Sequence, residues 1–137
     1  MNKLFPIVLA LIFSSCSAFQ GEDLRKFKWK NRVLIMVNSE KEILFKKNKE
    51  DYFKEFKDRD LIIIEVINGE VFLNDQLTSQ SLSQSVLSFI DKESENMDLL
   101  LIGKDGKIKH RYHIDNINLI LTDIDSMPMR IRDMKSR

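Results

Sequence analysis

The run Leu61–Ile67, LIIIEVI, constrains the fold more than any other segment. It is nearly all apolar and β-branched, yet it is too short for a typical helix. Such a run is typical of a central strand that is covered on both faces. A chain of 137 residues is long enough for one domain of ordinary size. The sequence therefore predicts an α/β domain with helices on both faces of a sheet.

The order of the other elements extends this prediction. Short apolar runs at 33–37 and 99–102 indicate further buried strands. Amphipathic stretches predict a helix after each of the first two strands and a last helix that Met127-Pro128 interrupts. The face of the first helix is formed by Phe45, Tyr52, Phe53 and Phe56. The initial βαβ unit requires a parallel pair, and the later β-turn-β an antiparallel one. This order is the thioredoxin-like one, with a mixed sheet of four to five strands.

Residues 1–18 predict a leader that is cleaved on export. Lys3 precedes the apolar segment 4–13, and small residues follow. This segment spans about 15 Å as a helix, half a bilayer core, so a permanent transmembrane helix is not expected. Cleavage after Ala18 leaves a secreted domain. The residues at 13–16 resemble a lipobox instead, in which Cys16 becomes the lipidated first residue of a periplasmic or outer-membrane-anchored lipoprotein. A buried N-terminal strand or helix is the alternative to export.

The mature part, 22–137, is predicted to be one thioredoxin-like domain, since it contains no repeat or linker. The chain has 22 cations and 21 acids, and without Lys3 the numbers are equal. This balance argues against a strongly basic nucleic-acid binder, so nucleic acid is not an expected partner. Cys16 is the sole cysteine. Disulfides, zinc–thiolate sites and cysteine nucleophiles are therefore excluded from the part of the chain after the leader.

Three segments carry a resemblance to a known family. Residues 27–34 (FKWKNRVL), 101–106 (LIGKDG) and 124–130 (IDSMPMR) resemble the opening, middle and closing motifs of the bacterial domain of unknown function 4174. The resemblance covers residues 24–134. It implies a small, exported, thioredoxin-like domain without an established activity, and it assigns no catalytic residue.

The positions of a thioredoxin redox site hold other residues here. Active members carry Cys-x-x-Cys after the first strand, where the helix N-terminus lowers the thiol pKa. Residues 38–41 of this chain are NSEK. The place of the cis-proline before the third strand is taken by 96–98, NMD. We therefore predict no thiol-disulfide chemistry, no catalytic residue and no cofactor.

Three titratable residues are weaker candidates for chemistry. His110 and His113 are predicted to face opposite sides of one strand, so they cannot hold one metal ion together. A structural or surface role is favoured over a metal or acid–base role, and no metal site is predicted. Glu65 lies inside an apolar strand. It is interpreted either as a strand-edge or hydrogen-bonded carboxylate, or as a buried acid with a raised pKa.

Two segments are candidate binding surfaces. The first combines cations with an aromatic ring and comprises Arg25, Lys28, Trp29, Lys30 and Arg32. The second comprises Met127, Pro128, Met129 and Arg130. For each segment, packing is the alternative to binding. In the first, Phe27 and Trp29 would pack on the core while the lysines face solvent. In the second, the methionines would fill a gap in the core. A helix C-terminus, where cations are favoured, is the expected place of Arg130, Arg132, Lys135 and Arg137.

These observations favour an exported, redox-inactive domain that works by binding. The expected partner is an envelope protein or an anionic surface, and a membrane if Cys16 carries lipid. The alternative is a cysteine-independent enzyme that uses an acid or a histidine in a cleft.

Overall fold

The computed structural model describes residues 22–37, 51–93, 99–112 and 117–137. The strands are β1 (Arg32–Val37), β2 (Leu61–Ile67), β3 (Glu70–Leu73), β4 (Gln76–Leu77), β5 (Leu99–Ile102) and β6 (Ile108–Tyr112). The helices are the 3-10 helix η1 (Leu24–Phe27), α1 (described over 51–58), α2 (Gln80–Glu93), α3 (Ile117–Asp125) and α4 (Pro128–Lys135).

The strands form one mixed sheet in the order β4-β3-β2-β1-β5-β6. β1 and β2 are parallel, with Ile35 beside Ile64, and the other pairs are antiparallel. The predicted α/β class and mixed sheet are confirmed. The expected four to five strands were too few, since the described residues form six. The segment after the Asn68–Gly69 turn makes two short strands, β3 and β4, instead of one.

Both faces of the central strands are buried, as the apolar runs predict. Leu34 and Met36 of β1 face a cluster that includes residues of α1 and α3. Val33 and Ile35 face the opposite cluster, which includes residues of η1 and α2. Alternate residues of a strand point to opposite faces of the sheet. A strand whose residues are all apolar therefore contributes side chains to both clusters.

The break between the last two helices occurs where it is predicted. α3 ends at Asp125, and Met127 has extended backbone angles of φ −71° and ψ 138°. Pro128 then begins α4, a position at which its missing N–H is not needed by the helix. Arg130 consequently lies in the first turn of α4, so its expected place near a helix C-terminus was wrong. Arg132 and Lys135 do lie in the last turn of α4, as predicted.

Candidate functional site

The candidate basic–aromatic segment is a short helix followed by a turn. η1 ends at Phe27, which is buried, and the Trp29 turn (residues 28–30) leads into β1. The Phe27 carbonyl accepts from the Asn31 N–H at 2.8 Å. The ring of Trp29 is 62% exposed. Of the two aromatic residues, only Phe27 therefore packs on the core.

The backbone of Trp29 adopts a left-handed conformation with φ 67°. A bulky side chain there costs roughly 1–2 kcal/mol and persists only where surrounding contacts impose it. The main such contact is a hydrogen bond, in which the Trp29 N–H donates to the Lys104 carbonyl at 2.6 Å. The Lys28 Nζ lies 5.4 Å from the centre of the indole ring, within cation–π range. The fold thus presents a large aromatic ring to solvent at an energetic cost.

Positive charge exceeds negative charge around this ring. Arg25 is exposed but pairs with Asp23 at 2.7 Å, which lowers the pKa of Asp23. The side chains of Lys28 and Lys30 are exposed, and neither is within ion-pair distance of an acid in the described ranges. Lys28, Trp29 and Lys30 therefore form a compact cationic and aromatic surface, which we call the Trp29 surface.

Arg32, the last candidate of the first segment, does not belong to this surface. Its side chain is 1% exposed, and its Nη1 donates to the Arg59 carbonyl at 2.8 Å. Within the described part of the chain, Nε and Nη2 have no hydrogen-bond partner, although Nη2 lies 3.8 Å from a carboxylate oxygen of Asp133. Burial lowers the pKa of Arg32. The prediction of a surface contact at Arg32 was wrong, because this side chain is buried between the turn after α1 and helix α4.

Arg130 is likewise buried, with 4% of its side chain exposed. Its Nη2 donates to a carboxylate oxygen of Asp58 at 2.7 Å, and its Nε to Asp125 at 3.1 Å. Burial alone lowers the pKa of Arg130, but the hydrogen bonds to these two acids outweigh it and raise the pKa. The guanidinium of Arg130 therefore pairs with acids of the same domain. This position contradicts the prediction of a binding residue.

The remaining residues of that segment favour packing over binding. Met127 is half-buried and packs against the cluster beside α1 and α3. Met129 is also half-buried, whereas Pro128 is exposed at the start of α4. The interpretation of the methionines as fillers of the core agrees with these positions.

The buried arginines belong to two neighbouring groups of ion pairs, which we call together the arginine network. One group joins Arg32 and Lys104 to Asp60 and Asp133, with Lys104 2.8 Å from Asp60 and 3.4 Å from Asp133. The other group joins Arg59, Arg130 and Arg137 to Glu55, Asp58 and Asp125. A hydrogen bond from Arg32 Nη1 to the Arg59 carbonyl links the two groups. Each of the three segments that carry the family resemblance contributes at least one member. The network lies at the N-terminal ends of β1 and β2, and its ion pairs connect residues of several elements.

Sequence reasoning missed this network. The only local signal is the triplet Asp58-Arg59-Asp60 directly before β2. Its partners on α3, α4 and the β5–β6 turn are distant in the chain. A charged triplet ordinarily lies at a solvated surface. The sequence therefore does not indicate that these three residues form ion pairs with distant elements.

Glu65 and His110 do not share a cleft. Glu65 is 3% exposed on β2, which lies between β1 and β3, so the strand-edge interpretation was wrong. His110 lies at the surface of β6, with its Nδ1 4.0 Å from Asp123. Three interstrand spacings of about 4.8 Å separate β2 from β6, so Glu65 and His110 lie at least ~14 Å apart. They cannot act together as acid and base, and His113 lies outside the described residues.

A cleft, which we call the η1–α2 cleft, lies beside the Trp29 turn. It has a volume of about 260 Å³. Its lining includes Leu24, Phe27, Val33, Phe89 and Ile102, with Arg25, Lys28 and Asp105 also at its wall. Lys28 is therefore shared between this cleft and the Trp29 surface.

Within residues 22–37, 51–93, 99–112 and 117–137, no group of three or more His, Cys, Asp or Glu side chains is arranged to hold a metal ion. None of the helices described is both long enough and apolar enough to cross a membrane.

The sheet order, the parallel β1–β2 pair and the helices on both faces define a thioredoxin-like domain. In agreement, the fold is similar to that of the mitochondrial 2-cys peroxiredoxin from Plasmodium falciparum, with a TM-score of 0.52 over 85% of each chain at 14% identity. The family model "Domain of unknown function (DUF4174)" matches residues 23–133, and the chain belongs to this family. A comparison with curated proteins gives no match.

Proposed function

We propose that this chain is a redox-inactive, thioredoxin-like binding domain that contacts an acidic segment of another protein through the Trp29 surface. The observation that carries the proposal is the exposed indole of Trp29 on a backbone held at φ 67°. Strained residues cluster at functional sites, and tryptophan is enriched at binding hot spots. Lys28 and Lys30 supply the charge that an acidic segment needs.

The distribution of charge favours a protein partner over a flat anionic membrane. Glu22, Asp23 and Asp105 lie among the cations around η1 and the β5–β6 turn. A uniformly anionic bilayer meets these acids as well as the lysines, and their repulsion weakens the contact. A discrete acidic segment can approach Lys28 and Lys30 while it avoids the acids.

Redox inactivity is part of the proposal and rests on composition. Reductases, isomerases and peroxidases built on thiol chemistry pass through a cysteine thiolate. The sole cysteine, Cys16, lies in the leader. Without a thiolate, the function that the Trp29 surface supports is binding.

Export is the remaining part of the proposal, with Cys16 as a lipidated N-terminus. It is supported by Lys3, the apolar segment 4–13 and the position of Cys16 at the end of that segment. Ser17 in place of aspartate suits sorting to an outer membrane, by analogy with other lipoproteins. Mass spectrometry of the mature chain should find lipid on residue 16. An unmodified chain that starts at Phe19 would contradict lipidation and leave a secreted domain.

The binding proposal is tested with a fluorescent, glutamate-rich peptide whose central residue is alanine. The double variant Lys28→Glu with Lys30→Glu should bind it at least ~10-fold more weakly than the wild type, and added salt should weaken the wild-type contact. The matched control, Lys54→Glu with Lys135→Glu, reverses two exposed lysines on α1 and α4 and should bind as the wild type does.

Two results contradict the proposal. One is equal binding by the Lys28/Lys30 variant and its control. The other is binding to vesicles that contain phosphatidylserine without binding to the peptide, which would make the partner a lipid surface.

A further inference from the structure

We propose that the η1–α2 cleft accepts one large apolar side chain of the same acidic partner segment. This inference rests on the proposed function and adds the chemistry of the ligand: an aromatic or aliphatic residue flanked by acids. Lys28 joins the two parts of the site, since it lies at the wall of the cleft and beside the Trp29 ring.

Five apolar residues from four elements line the cleft, beside polar residues that include Asn31 and Ser85. Leu24 and Phe27 belong to η1, Val33 to β1, Phe89 to α2 and Ile102 to β5. These residues are buried or half-buried members of the same core cluster. An apolar group that enters the cleft therefore continues an existing core and displaces water from an apolar wall, which is favourable.

The size of the cleft favours a small ligand group. Pockets for drug-sized ligands and cofactors commonly occupy about 300–1,000 Å³. The cleft has a volume of about 260 Å³, close to the lower limit of that range. It therefore suits one large side chain of a peptide better than a nucleotide or a flavin.

Charge at the rim explains why the flanking residues should be acidic. Asp105 is already engaged by Lys109 at 2.8 Å and by the Lys107 N–H at 3.1 Å. Arg25 is engaged by Asp23. Lys28 is the rim cation that no acid of the described ranges contacts, so it is available to a carboxylate next to the inserted side chain.

The test compares two fluorescent, glutamate-rich peptides that differ only in a central phenylalanine or alanine. The full mature chain should bind the phenylalanine peptide about 10-fold more tightly or better, as expected for burial of an aromatic side chain. Phe89→Ala should reduce this preference, and Leu77→Ala, a truncation of an exposed residue on β4, should retain it.

A second measurement keeps the test decisive if Phe89→Ala unfolds the domain. In NMR spectra of the wild-type chain, the methyl signals of Val33 and Ile102 should shift with the phenylalanine peptide and stay in place with the alanine peptide. Equal affinities for both peptides, with dependence on Lys28 and Lys30 intact, would overturn this inference and leave the proposed function standing. If neither peptide binds, the proposed function fails and the inference with it.

Discussion

The guanidinium of Arg59 holds both carboxylate oxygens of Asp125, with Nε 2.9 Å from Oδ1 and Nη2 2.8 Å from Oδ2. Arg59 follows α1 and Asp125 ends α3, so this bidentate pair ties together two helices on one face of the sheet. Arg130 adds a third bond to the same acid and brings in α4. The pair is therefore the centre of the arginine network.

Removal of Arg59 should destabilise the domain. Arg59→Met leaves Asp125 without its bidentate partner, and the half-exposed position of that acid limits the loss to about 1–3 kcal/mol of unfolding free energy. Chemical denaturation measures this change. Lys135→Met removes an exposed cation from α4 and should leave the midpoint unchanged. Equal stability of both variants would show that the network contributes nothing.

The network should also make the protein sensitive to acid. A hydrogen bond from Arg130 lowers the pKa of Asp58 below 3.8. Burial by itself raises the pKa of Asp125, but hydrogen bonds from Arg59 and Arg130 outweigh it and lower the pKa. A lowered native pKa contributes stability that is fully present above the unfolded value and is lost as the pH falls through the native one.

The melting temperature should therefore fall as the pH decreases from about 5 towards and below 3.8. Asp125→Asn should lower the melting temperature at neutral pH and reduce the steepness of this decline. Calorimetry over a series of buffers measures both effects. A decline of the same steepness in the variant would mean that other carboxylates cause it.

Arg32 should respond differently from Arg59. Its buried Nε and Nη2 lack hydrogen-bond partners in the described part of the chain, so its desolvation is poorly compensated. Replacement of a poorly paired buried ion by an apolar residue of similar length is often neutral or stabilising. Arg32→Met should change the unfolding free energy by about 0 to +2 kcal/mol. A loss as large as that of Arg59→Met would contradict this interpretation.

Much of the fold follows from the sequence because apolar runs mark strands that are covered on both faces. β1, β2 and β5 are each recognisable in this way, and Pro128 marks the start of α4. β4 has no such signal, since both of its residues are exposed. Its pairing with β3 depends on the hairpin geometry, and for this reason the predicted number of strands was too low.

The candidate site was less predictable. An arginine directly before an apolar strand is ordinarily a surface residue, and the burial of Arg32 depends on Asp133 of the last helix. The sequence left open whether Phe27 and Trp29 pack together on the core. They separate because Phe27 ends η1 and is buried, whereas Trp29 lies in the following turn with φ 67° and is exposed. The helical pattern also predicts Phe53 and Phe56 on one apolar face of α1. Phe53 is instead 65% exposed, whereas Phe56 is buried.

Thiol chemistry is tested directly by an insulin-reduction assay with dithiothreitol. Residues 19–137 should stay at the background rate, because no cysteine is present after Cys16. A cysteine-containing thioredoxin serves as the positive control. Turnover clearly above background would require a mechanism that these residues do not supply, and redox inactivity would then be wrong.

The Trp29→Ala variant combines a stability measurement with a binding measurement. The ring is exposed, so the variant should unfold at the same denaturant concentration as the wild type, whereas a core tryptophan would cost about 3–5 kcal/mol. Truncation of a hot-spot residue costs about 2 kcal/mol or more of binding, which is roughly a 30-fold loss of affinity. We therefore predict unchanged stability and at least this loss of affinity for the glutamate-rich peptide. Wild-type affinity in a fully folded Trp29→Ala protein would contradict the assignment of this surface as the binding site.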